Sequence, residues 1–184
     1  MAGDTDNPRI WAGADVLVAP LLSTAPTDVT TAWDAAFESL GLLSEDGMEQ
    51  MQESEATDYF AHGGAFIRNS RSKFKKSIKV ICLEDNATVF GLVNPGSTSE
   101  TDGDVTTRTV KTPVADARMF GIELVDGDVT KRIVIPRGEV TEVGSVKISD
   151  ADMTAYELTI AIYSDADNEW FTEITDDPQA IAPT

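Results

Sequence analysis

Histidine and cysteine are almost absent from this chain of 184 residues: His62 and Cys82 are the only ones. With one cysteine no internal disulfide can form. Zinc sites of the usual kind need clustered Cys and His, so they are excluded too. A nucleophile–base–orienter triad would have to be built from His62 and Cys82. Cys82, however, lies in the apolar run Ile78, Val80, Cys82 and reads as a small core residue. His62-Gly63-Gly64 has no G-x-S-x-G elbow to accompany it and reads as a surface turn. No window approaches the roughly 20 apolar residues of a membrane helix. The first residues, MAGDTDNP, carry acid where a signal peptide carries base, so synthesis and use in a cytosol, or export by other means, is expected.

Base is also scarce. Fourteen Lys and Arg stand against 32 Asp and Glu, for a net charge of −18. Ile10 to Ile67 contains no Lys or Arg but ten acids, Glu49, Glu53 and Glu55 among them. Six cations then follow with no acid between them: Arg68, Arg71, Lys73, Lys75, Lys76 and Lys79. The overall balance opposes tight nucleic-acid binding, which depends on cations that displace counterions from phosphate. An acidic 44–58 segment and a basic 68–79 segment in one subunit could meet across an interface between copies. On that expectation these nine residues are the candidate interface set.

Other chemistry is thin. Asp165-Ala-Asp167-Asn-Glu169 begins like a calcium loop, but Trp170 occupies the position an EF-hand gives to glycine. Neither a P-loop nor a G-x-G-x-x-G is present. Paired carboxylates could hydrolyse glycosides, yet with 32 acids adjacency identifies nothing. The expectation is no enzyme, no cofactor and no metal.

Periodicity gives a mainly β reading. Ile10 to Ala19 alternates and is stopped by Pro20. Trp33, Ala36, Phe37 and Leu40 fall at i, i+3, i+4, i+7, which predicts a short helix capped by Thr30 or Thr31 and ended by Gly41. Residues 48–58 read as an exposed loop or mobile arm, and 65–68 as briefly extended. Lys73 to Leu83 alternates, with Lys76 interrupting the apolar face. Asp85 to Val93 leans to a second helix with Asp85 as N-cap. Residues 97–105 (STSETDGDV) read as a flexible loop. Arg118–Val125 and Lys131–Ile135 form a hairpin about Asp126-Gly127-Asp128. Strands are then expected at 140–148, 154–163 and 170–174. About eight strands with one or two short helices imply a β-sandwich or open barrel. One domain is expected over 1–175, followed by a flexible tail over 176–184.

At Ala35–Met48 (AAFESLGLLSEDGM) the chain resembles the major tail-tube proteins of long-tailed, non-contractile phages, particularly those of actinobacterial hosts. The resemblance continues through Gly63–Arg68 (GGAFIR), Ile81–Ala87 (ICLEDNA), IVIPRGEVTEVGSVKI and YELTIAIY, covering roughly residues 8–175. It implies a tube fold like that of type VI secretion tubes. It also implies a virion subunit made in the host cytoplasm, stacking with copies of itself as hexameric rings around a tape-measure protein. Tail terminator and distal tail proteins would be further partners. DNA would later pass through the lumen unbound. No membrane is involved and no residue roles carry over. Other readings stay open: a decoration or tail-completion protein, a surface β-sandwich adhesion domain, or an ordinary protein whose acidity serves solvation.

Overall fold

The computed structural model describes residues 8–177. Ten strands and one helix occur among them. One antiparallel sheet holds eight strands. Its path runs β2 (Glu38–Ser39), β1 (Gly13–Ala19), β7 (Arg118–Asp126), β8 (Val129–Val143), β9 (Tyr156–Ile162), β4 (Phe66–Cys82) and β3 (Leu43–Phe60), with β10 (Thr172–Thr175) beside β8. Strands β5 (Thr98–Asp102) and β6 (Val105–Thr109) form a separate hairpin, and α1 spans Ala87–Val93. This is the mainly β architecture expected from the alternation.

The sheet folds over at β8. Its first part pairs with β7 and β10, and from Gly138 onward it pairs with β9. The two halves then face each other over one core. Val16, Val18, Phe120, Ile122, Ile133 and Ile135 come from the first half; Ile78, Val80, Cys82, Leu158, Ile160 and Ile162 come from the second. Gly138 sits at the corner, where an added Cβ would lie 2.9 Å from Phe120 and 3.1 Å from Ile160. Both neighbours are buried and cannot retreat. Gly138→Ala is therefore expected to cost about 1–3 kcal/mol, measurable as a shifted denaturation midpoint at unchanged slope. Strands expected separately at 131–135 and 140–148 are thus one bent strand, which ends at Val143 and leaves 144–148 outside it.

The predicted helix over 31–40 does not form. Its apolar residues do turn inward: Phe37 and Leu40 are buried, and Trp33 and Ala36 are partly so. The backbone instead follows turns built by aspartate. The Asp28 carboxylate accepts hydrogen bonds from the backbone N–H groups of Thr30 and Thr31 and from both hydroxyls. Asp34 likewise accepts from the N–H of Ala36. Such local bonds compete with helix. They also hold the Asp28 carboxyl well below its ordinary 3.8, with Thr31 contributing most. The stability this supplies is full above 3.8 and is lost only as pH falls through the lower folded value. Carboxyl NMR should therefore show Asp28 still ionised at pH 3.

This loop covers the outer face of the first half-sheet, where Leu17, Ala19, Met119 and Val134 form a second cluster. β1 is consequently buried on both faces near its end. Trp33 lies against Gly121, which has no Cβ to obstruct it. Arg132, the one buried charged residue among those described, pins the loop. It donates to Glu123 Oε2 (2.6 Å) and to the carbonyls of Asp28 (2.9 Å) and Thr31 (2.6 Å).

Two expected loops are ordered strands. Residues 48–58 belong to β3, paired with β4 except at a bulge at Ser54. Residues 97–105 contain β5 and the turn into β6, with Gly103 at φ +60°. Helix α1 forms as expected, but Asn86 caps it, accepting from Val89 N–H, while Asp85 pairs with Arg108. Asp176 exchanges hydrogen bonds with Thr130, and Asp177 pairs with Arg9. The remainder of the expected tail, 178–184, lies outside the described residues.

Candidate assembly surface

Strands β3 and β4 leave the body of the protein together. β9 stops at Ile162, which pairs with Lys76. Beyond that point β4 has only β3 beside it, as far as the turn near His62. The ten residues from Lys75 back to Phe66 carry this two-stranded arm about 30 Å away from the core. It is exposed on both faces, which explains why no apolar period marks its sequence.

All nine candidate interface residues fall on this hairpin. The ladder sets acid against base: Glu49 opposite Lys79, Glu53 opposite Lys75 and Glu55 near Lys73. Lys73 Nζ lies 2.8 Å from Glu55 Oε2, and Lys79 Nζ lies 3.0 Å from Glu157 Oε2. Lys76, the interruption in the apolar face of β4, rests its ammonium 4.4 Å from the ring centre of Phe171. Arg68 covers Tyr59 at 5.3 Å, and Arg71 stands opposite Ala56. The two charged segments are thus neighbours within one chain.

An isolated two-stranded ribbon is marginal in water. Each cross-strand charge pair adds only about 0.2–1 kcal/mol. A bulge sets Ser54 against Lys73 and Phe74, with Lys73 in the left-handed region at φ +53°. Bulges bend and twist a ribbon, so the arm's direction is fixed near its base.

The tip of the arm is what the sequence reading missed. Tyr59, Phe60, Phe66 and Ile67 are all exposed, between 47% and 62%. Phe60 and Phe66 stack edge-to-face at 5.7 Å. Four large apolar side chains on a ribbon otherwise rich in charge amount to an adhesive patch. The signal was available as YF…FI on either side of the A-H-G-G turn.

The remaining residues offer little chemistry. Cys82 is fully buried, and desolvation pushes its thiol up to about 11. His62 sits on the exposed turn at the arm's end. The Asp165 carboxylate is occupied by the backbone N–H groups of Asp167 and Glu169. Among the described residues no group of three or more Asp, Glu, His or Cys is placed to hold a metal ion. No helix there is long and apolar enough to cross a membrane.

The model of a family described as phage tail tube protein matches residues 1–184. No curated protein matches the chain. Among solved structures, the chain is similar to a component of the sheath–tube complex of PVC, an extracellular contractile injection system, in the extended state. Identity there is 10%, coverage is 94% of this chain and 98% of that one, and the TM-score is 0.46. A component of the sheath/tube terminator of the same system gives 10% identity, 92% and 99% coverage and a TM-score of 0.48. A chain from the virion of a native gene transfer agent gives 14%, 95% and 98%, and 0.40.

Proposed function

Because this chain belongs to the phage tail tube protein family, we propose that it polymerises with copies of itself into the hollow wall of a long, non-contractile tail. It is a structural component of the virion and not an enzyme. Residues 1–175 would act as one tube domain, stacking as hexameric rings around a tape-measure protein. A terminator and distal tail proteins would close the two ends, and DNA would leave through the lumen. The observation that carries the assembly reading is the arm, which projects far beyond the core and ends in exposed aromatic residues. A net charge of −18 suits a conduit. An acidic wall repels phosphate across a gap near the Debye length, about 8 Å at physiological salt, and offers few cations for counterion release.

Two experiments bear on this. End-on views of the purified, polymerised protein by negative-stain electron microscopy should show rings of six around a central hole. Solid rods would rule out a conduit, and another ring number would overturn the hexamer. Reversing charge at Lys73, Lys75 and Lys76 together should impair polymerisation at low salt, with partial recovery as ionic strength rises. Like charges would then face each other along the arm and repel any acidic neighbour. Sedimentation unchanged from wild type at every salt concentration would sink the proposed role of the basic strand.

A further inference from the structure

At the base of the arm, where β9 ends and β4 continues, the surface opens into a notch of about 560 Å³. Phe74, Tyr163, Trp170, Thr159 and Ala161 line it, together with Lys75 and Glu53, which face each other across the ladder. Phe74 and Tyr163 are exposed large apolar residues, 53% and 38%. The volume falls in the range that accepts a few aromatic rings or a small ligand, about 300–1,000 Å³.

We propose that this notch receives the aromatic tip of another copy's arm, so that Tyr59, Phe60, Phe66 and Ile67 of one subunit dock at the arm base of the next. The inference rests on the tube reading above and names the surfaces that would join its subunits. The chain cannot satisfy the notch itself. Between the Glu53–Lys75 pair and the Phe60–Phe66 pair the two strands stay paired apart from the bulge at Ser54 and a register shift after Tyr59, which holds a chain's own tip about 25 Å from its own notch. Donor and acceptor must therefore belong to different copies.

Charge sets the polarity. The outer edge of β3 is unpaired and acidic, with Glu49, Glu53, Glu55 and Asp58 on that strand. The part of β4 beyond β9 is unpaired on its other side and basic. Two arms laid β3 against β3 would repel, whereas the acidic strand of one against the basic strand of the next attracts. An incoming tip carries Asp58 and Arg68, and the notch rim offers Lys75 and Glu53. A contact of this kind joins two different patches. It therefore propagates into closed rings or open stacks and does not stop at a dimer.

Variants of the full chain with one added cysteine test the pairing, since Cys82 is fully buried and will not compete. Ile67→Cys marks the tip, Ser164→Cys the notch, and Ile148→Cys an exposed loop between β8 and β9. Tip and notch variants are mixed, polymerised and treated with a short bis-maleimide. The expected product is a tip–notch dimer in the sedimented fraction, lost when Phe60→Ser and Phe66→Ser are added to the tip variant. Those two substitutions in the otherwise wild-type chain should raise the critical concentration for assembly at least about tenfold. Its melting temperature should stay unchanged, because both rings are solvent-exposed in the monomer. Hollow polymers linked tip to tip, tip to Ile148→Cys, or not at all would overturn the docking while leaving the tube reading intact. A wild-type chain that forms no polymer would overturn both.

Discussion

A chain whose residues 54–74 are replaced by Asn-Gly is expected to fold, to melt near the wild-type temperature and to form no tubes. The deletion joins Glu53 to Lys75, which already face each other across the ladder. Asn-Gly is the two-residue turn that suits such a pair. The main core cluster draws on β4 only from Ile78 onward, so the excised ribbon contributes nothing to it. The exposed charge pair between Lys73 and Glu55 is worth under about 1 kcal/mol. Assembly should be abolished, because the aromatic tip and the free basic edge leave together. Circular dichroism and calorimetry check the fold, and sedimentation followed by microscopy checks the polymer. Tubes from the shortened chain would show that another surface joins the subunits.

Arg132→Met is expected to produce the largest loss of stability from a single polar substitution. Methionine fills much of the same volume but leaves the Glu123 carboxylate with only the Trp33 indole N–H and the carbonyls of Asp28 and Thr31 without the guanidinium's N–H groups. The Trp33 ring loses its cation as well, which lies 5.3 Å from the ring centre. Breaking such a buried cluster from one side costs about 2–4 kcal/mol. For a domain of this size that lowers the melting temperature by roughly 5–15 °C. Arg132→Lys should recover only part, because an ammonium cannot donate in the guanidinium's fixed fork. Lys131→Met is the control. Its pair with Glu173 is partly solvated and Lys131 donates to no backbone carbonyl there, so a change of about 1 kcal/mol or less is expected. Equal effects at the two positions would remove Arg132 from its pinning role.

Strands with one buried face were legible, because Phe120, Ile122 and Leu124 or Leu158, Ile160 and Ile162 alternate against polar neighbours. The arm was not. With both faces in solvent no selection for period two acts on it, and its two strands read as a loop and a short extended piece. The β5–β6 hairpin carried a readable signal that its low hydrophobicity masked. TDGDVT at 101–106 nearly repeats VDGDVT at 125–130, and both turns place glycine at φ +60°. Over 31–40 the periodicity identified the buried residues but not the backbone, since aspartate side chains claimed the N–H groups a helix would use. The charged residues of the candidate surface were found by composition alone. That their strands pair within one chain needed the fold, as did the notch, which exists only because β9 ends before β4 does.

In the proposed assembly the arm joins copies of this chain into a hollow tube. A cryo-electron microscopy reconstruction of the polymer tests it directly. A continuous central channel is expected, with density for residues 55–72 running from each subunit onto a neighbouring copy. Arms that project from the tube wall into solvent, touching no other subunit, would contradict it.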